Sequence, residues 1–163
     1  GLSGKDGHLI EARKKKNSKG IDLGYVGEIS KTNPELLTIL LQNGFLPVIS
    51  PIGMGEKGIT YNVNADTVAA YIAVALKAQK IIFLTDVNGI LEDGQLQSEL
   101  TAKDIKRMIK SGTIAGGMLP KAQAMMHAIE NGVNSAHVIN GTDPHSVIAE
   151  LFTDKGTGTK IVL

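Results

Sequence analysis

Four short stretches of this 163-residue chain hold side chains able to do chemistry. The first is Asn62-Val63-Asn64-Ala65-Asp66, with three polar side chains set between an expected strand and an expected helix. Capping a helix N-terminus needs one of them, so the cluster points to a site on a loop. The second is Thr85-Asp86-Val87-Asn88-Gly89-Ile90-Leu91. It directly follows an apolar run, the place where parallel sheets bind ligands. Asp86 there suits a metal or a ribose, although Asn88-Gly89 also reads as a plain turn.

The third stretch is Thr113-Ile114-Ala115-Gly116-Gly117-Met118-Leu119-Pro120-Lys121. Paired glycines ahead of a helix offer backbone N–H groups to an anion, and the helix dipole adds attraction. A lysine in the first turn is unfavourable by itself, and an anionic ligand reconciles Lys121 with that place. The spacing is not that of a Walker A loop. The fourth stretch runs from His145 through Glu150 to Gly156 and Gly158. His145 and Glu150 stand about 140° apart at roughly 100° per residue, so they make no two-ligand metal site on one helix face. His8, His127 and His137 have no zinc-ligand spacing and read as structural. No HExxH, GxSxG or GxGxxG after a strand is present. From these residues alone the chain reads as a nucleotide- or phosphate-handling α/β domain. Its anion site would comprise the Gly116-Gly117 turn, Lys121 and Asp66, and would act by positioning and charge neutralisation.

The elements expected to position these residues alternate along the chain. Residues 9–16 and 24–29 read as a hairpin around Asn17-Ser18-Lys19-Gly20, with the basic run from Arg13 to Lys16 as a solvated edge. Asn33-Pro34 starts a helix that stops at Asn43-Gly44. Residues 45–50 read as a buried strand, 67–78 as a helix, 80–86 as a strand, and 101–111 as a helix with Asp104 placed to complete a cap on Thr101. A helix over 121–131, a strand over 136–140, a helix capped by Asp143-Pro144 and running through Phe152, and a strand over 159–162 follow. Apolar strands alternating with helices predict a mainly parallel sheet covered by helices.

Composition removes several classes. Lys+Arg is 17 and Asp+Glu is 16, a balance of +1 that argues against nucleic-acid binding. With no cysteine, a disulfide scaffold, a thiolate metal site and a cysteine nucleophile are excluded. Aromatic residues make up 4%, too few for a base-stacking surface. The longest uncharged apolar stretch, residues 67–76, is too short to span a bilayer, and no signal peptide opens the chain. These features fit a cytoplasmic protein. The opening Gly1-Leu2-Ser3-Gly4 suggests that the sequence starts inside a longer one.

Taken together, GLSGKDGHLIEARK (1–14), YNVNADTVAAYIA (61–73), KIIFLTDVNGIL (80–91), AGGMLPKAQAMMHAI (115–129) and PHSVIAELFTDKGTGTKI (144–161) resemble the N-acetylglutamate kinases of the amino acid kinase family, in the same order. The resemblance implies an αβα three-layer sandwich and ATP-dependent phosphorylation of the γ-carboxylate of N-acetyl-L-glutamate in arginine biosynthesis. It implies that Asn62 and Asn64 contact the acyl amino acid, that Asp66 holds catalytic lysines in place, and that Lys121 stabilises the transferring phosphoryl group. Thr85, Asp86, Val87, Asn88, Gly89, Ile90 and Leu91, with Thr113, Ile114, Ala115, Gly116, Gly117 and Met118, would line the ATP site. Mg2+ would be held mainly by the phosphates.

His145, Glu150, Gly156 and Gly158 match the arginine-binding pattern of feedback-inhibited members, which implies a homo-oligomeric parent, a dimer or a hexamer. The family's N-terminal strand and its phosphate-cradling glycine loops have no counterpart here. The expected division is therefore 1–32 as the end of the substrate lobe and 33–163 as the ATP lobe, with weak nucleotide binding and no catalysis by the chain alone. A related amino acid kinase such as glutamate 5-kinase, or a non-catalytic module binding arginine or a protein partner, stays open.

Overall fold

The computed structural model describes residues 1–17, 20–153 and 156–163. Ser18 and Lys19 of the expected hairpin turn, and Asp154 and Lys155 of the closing stretch, lie outside the described residues. The chain forms two compact units, Gly1–Leu76 and Lys77–Leu163. Strand pairing explains where this boundary falls. The first unit's sheet has the order β3-β2-β5-β6, which joins segments on both sides of residue 33.

The first unit contains β1 (Leu2–Ser3), β2 (Ile10–Lys14), β3 (Gly27–Thr32), α1 (Glu35–Gln42), β4 (Ile49–Ser50), β5 (Ile52–Met54), β6 (Thr60–Asn62) and α2 (Ala65–Ala75). The expected hairpin is present: β2 and β3 pair antiparallel, with a bulge between Glu11 and Ala12. Helix α1 starts at Glu35, with Pro34 rather than Asn33 at its N-cap position; Asn33 Oδ1 accepts the Glu35 N–H at 3.2 Å from just ahead of it. The core is built from Leu9, Ile10, Ala12, Leu37, Val63 and Val68. Burying an aliphatic side chain of this size stabilises by about 1.5–3 kcal/mol over leaving it exposed.

The strand expected over 45–50 is much shorter. Only Ile49 and Ser50 form β4, and they pair in parallel with β1. Phe45, Leu46 and Val48 are 62%, 87% and 67% exposed, the reverse of a buried strand. The cause is local. The Gly44 and Phe45 amides still close the end of α1 on Leu41 and Leu40, and Pro47 has no N–H for a ladder.

The second unit contains β7 (Lys80–Thr85), β8 (Leu91–Glu92), β9 (Gln95–Leu96), β10 (Glu99–Thr101), α3 (Ala102–Ser111), α4 (Met118–Glu130), β11 (Ser135–Asn140), α5 (Ser146–Phe152) and β12 (Thr159–Val162). Its sheet has the order β10-β12-β11-β7. The β10–β12 and β11–β7 ladders are parallel, and β11–β12 is antiparallel. The parallel character of the α/β fold is thus concentrated in this unit. Helix α4 packs on β7, β11 and β12, and α3 packs on α4 and β10. Ile81, Phe83, Met125, Ile129, Val138 and Ile161 are buried among them.

The cap at Thr101 forms as expected. Thr101 Oγ1 accepts the Asp104 N–H while the Asp104 carboxylate accepts from the Thr101 N–H and hydroxyl. Asp143 does not cap α5 with its side chain. The Ser146 amide donates to the Asp143 backbone carbonyl, and His145 precedes the helix at φ 62°. No helix among the described residues is long and apolar enough to cross a membrane.

Candidate functional site

In the second unit, β7 and β11 run in parallel and end together at Thr85 and Asn140. The loop from Thr85 to Leu91 springs from that edge. Asp86 is exposed and accepts from the Thr85 hydroxyl at 3.2 Å. Asn88 Oδ1 accepts the Asn140 side-chain amide at 2.9 Å, which ties the loop to the end of β11. Asn140 Oδ1 in turn accepts the Thr142 N–H and hydroxyl, and the Gly141 amide donates to the Thr85 carbonyl. Val87 and Leu91 are exposed, whereas Gly89 and Ile90 turn inward and are buried. The polar ends of two adjacent parallel strands thus form one platform, as expected for ligand sites in such sheets. Asn140 and Thr142 were not singled out from sequence. Asn140 is the last residue of β11 and Thr142 follows two residues on, and that place at a strand end is the signal the sequence carries.

The glycine turn lies between α3 and α4. Gly116 has φ 55°, a left-handed conformation that glycine adopts without a Cβ penalty. Open space surrounds the Cβ positions of Gly116 and Gly117. The helix starts at Met118, earlier than the expected residue 121, so Lys121 stands one turn in. The Met118 and Leu119 amides donate to the Ala115 and Gly116 carbonyls at 3.3 Å, so the turn already uses two of the amides expected to face an anion. Lys121 Nζ lies 5.4 Å from the centroid of the buried Phe83 ring on β7, within cation–π range. Thr113 is exposed with its hydroxyl 3.0 Å from that of Ser111. Ile114, by contrast, is buried and donates its amide to the Met108 carbonyl.

In the first unit, Asn64 is the N-cap of α2: its Oδ1 accepts the Thr67 N–H at 3.0 Å and the Thr67 hydroxyl at 3.2 Å. Asp66 is half-buried in the first turn, where a carboxylate suits the helix dipole. Asn62 ends β6 with an exposed side chain, and its backbone N–H donates to the Tyr25 carbonyl.

Under α5, the second unit holds a cavity of about 720 Å3 lined by Lys80, Glu99, His137, Glu150, Gly156, Gly158 and Lys160, among others. Glu150 is 9% exposed. Its carboxylate accepts from His137 Nδ1 at 2.6 Å and from the Thr157 amide at 2.7 Å. His137 Nε2 lies 2.9 Å from the buried Ser135 hydroxyl. Burial pushes the Glu150 carboxyl up. Donation from Thr157, His137 and Gly158 outweighs this and holds it below the usual glutamate range. The structure therefore brings Glu150, Gly156 and Gly158 together on one cavity and leaves His145 exposed off its lining. His137 joins them by folding, because a pair thirteen residues apart on a strand and a helix has no sequence signature. Among the described residues no group of three or more metal-ligating side chains is assembled.

The second unit is thus an α/β unit with polar loops at the ends of parallel strands, a glycine turn and a helix-borne lysine. The model of the amino acid kinase family matches residues 1–140, and the chain belongs to that family. It is 52% identical, over 99% of its length, to the acetylglutamate kinase of Desulforamulus reducens, and 53% identical, over 99%, to that of Methanocaldococcus jannaschii. In both cases it spans 58% of the relative's length. Among solved structures, N-acetylglutamate synthase from Neisseria gonorrhoeae, complexed with coenzyme A and L-arginine, matches with a TM-score of 0.88 and 32% identity over 98% of this chain and 37% of that one.

Proposed function

We propose that this chain carries the nucleotide-handling part of an acetylglutamate kinase, which transfers the γ-phosphoryl group of ATP to the γ-carboxylate of N-acetyl-L-glutamate. The observation that carries the reading is identity at about half of all positions to kinases of that name, over nearly the whole chain. In this reading the ATP phosphates approach the Gly116-Gly117 turn and the 85–91 loop. Lys121 neutralises charge that spreads onto the transferring group, and this charge stabilisation is the main work a protein does in phosphoryl transfer. The Asn62 and Asn64 side-chain amides contact the acyl amino acid, with the Asp66 carboxylate on the same segment as a partner for a lysine ammonium. Mg2+ travels on the phosphates, and the exposed carboxylate of Asp86 suits the one or two carboxylates such an ion takes from protein.

The cavity under α5 is the candidate arginine site. There the Glu150 carboxylate offers a partner for a guanidinium, and Gly156 and Gly158 allow close approach. His145 contributes, in this reading, only if its exposed side chain turns toward that ligand. The parent enzyme is a cytoplasmic homo-oligomer, a dimer or a hexamer.

The test is ADP release by the complete gene product carrying this chain, with N-acetyl-L-glutamate or L-glutamate as acceptor. The acetylated substrate is expected to be strongly preferred, and Lys121→Ala to lower kcat by about 10²–10³. Preference for free glutamate would indicate the glutamate 5-kinase reaction. Ligand binding without turnover would indicate a regulatory module.

A further inference from the structure

Thr159, the first residue of β12, is fully buried. Its hydroxyl donates to the Gln97 carbonyl at 2.6 Å and accepts the Ile90 N–H at 2.9 Å. The Gln97 amide donates back to the Ile90 carbonyl at 3.0 Å. One side chain thus bridges the Ile90 N–H of the 85–91 loop and the Gln97 carbonyl, while the Gln97 N–H holds the Ile90 carbonyl. The loop is shaped to this contact. Gly89 sits at φ 144°, and a Cβ there would fall 2.6 Å from Thr159 Oγ1 and 2.7 Å from Leu96 Cδ1. Only a residue without a Cβ lets the loop settle on the hydroxyl.

The outer end of the loop is held separately, by Asn140 on Asn88. Asp86 and Val87 stand just ahead of Asn88, and all three are exposed at the carboxyl ends of β7 and β11.

We infer that Thr159 is a positioning residue for nucleotide binding: its hydroxyl fixes Ile90 and so sets where Asp86 to Asn88 meet the ligand. The inference rests on the nucleotide reading of the 85–91 loop given above. A hydroxyl suits the task because it donates once and accepts once here, leaving neither Ile90 N–H nor Gln97 carbonyl unmatched. Valine keeps the shape but strands the buried Ile90 N–H and the half-buried Gln97 carbonyl, and the loop can satisfy the first only by moving. Small displacements of binding groups cost large factors in function. Serine keeps both hydrogen bonds and loses only a methyl group.

The experiment is calorimetric titration of Mg-ATP into the complete gene product and its Thr159→Val and Thr159→Ser variants. Thr159→Val is expected to raise Kd about tenfold or more, with Thr159→Ser within about threefold of wild type. A merely structural role lowers the urea midpoint of Thr159→Val and leaves the Kd of its folded form unchanged. Wild-type binding with Thr159→Val unchanged, or with Thr159→Ser as weak as Thr159→Val, overturns the role of Thr159 and leaves the nucleotide reading standing. Failure of the wild type to bind overturns both. If Thr159→Val does not fold, Gly89→Ala probes the same anchor from the loop side. A similar rise in Kd is expected, and an unchanged Kd overturns the proposal.

Discussion

The cavity under α5 and the glycine turn before α4 lie in the same unit and are built on opposite principles. Around the cavity the fold supplies partners to a run of polar groups: Ser135, His137, Glu150 and the Thr157 N–H form one chain of hydrogen bonds. The glycines there are packed against neighbours. At the Gly116-Gly117 turn the space is open, and no neighbour dictates the absence of a side chain. One site is preorganised by tertiary contacts that also stabilise the unit. The other leaves its surface to the solvent or a ligand, and its glycines answer only to backbone conformation. The same residue type therefore carries different costs in the two places.

Substitutions can break or sharpen this contrast. Gly158→Ala should have the largest effect, because a Cβ would fall 2.1 Å from the Val138 carbonyl and 2.7 Å from Ile139 Cγ2. We expect a loss of about 3 kcal/mol or more in urea unfolding of the second unit. Glu150→Ala should follow, at about 2 kcal/mol, as it leaves His137 and the Thr157 amide without their acceptor. Its pH signature has a definite sign. The folded carboxyl titrates below its unfolded value, so its contribution is fully present above about pH 4.3 and fades as the pH drops through the lower folded value. Stability of Glu150→Ala relative to wild type, measured down that range, should converge with wild type in acid. Gly116→Ala should have the smallest effect on stability, about 1 kcal/mol from the left-handed backbone alone. A loss at Gly116 as large as that at Gly158 would show that the turn is packed after all, and the contrast would fail.

What was legible in the sequence was local. The capping box at Thr101 and Asp104, the apolar strand from Lys80 and the stops at Asn43-Gly44 are written in neighbouring residues, and the structure has them. The apolar residues 45–48 misled, because composition says nothing of what a segment faces, and Pro47 weakens a ladder that hydrophobicity alone would grant. Placement of the loop 85–91 at a strand end was readable from the preceding apolar run. The partners that shape it were not: Asn140 and Thr159 reach it across separations of 52 and 69 residues. The pairing of Glu150 with His137 likewise depends on α5 packing on β11, which no spacing rule encodes.

The order β10-β12-β11-β7 puts the last strand of the unit inside the sheet, with β10 on one side and β11 on the other. Until residues 159–162 are available, β10 has no ladder, and its eventual partner lies 61 residues along the chain, as the Glu99–Lys160 contact shows. Non-local closure of this kind slows folding, because loop entropy is spent before contacts repay it. On a ribosome, synthesis of this unit would run through its whole length with β11 pairing only β7 and one edge open. The final segment then acts as a wedge that completes the sheet and seats Thr159 on the loop in a single late event.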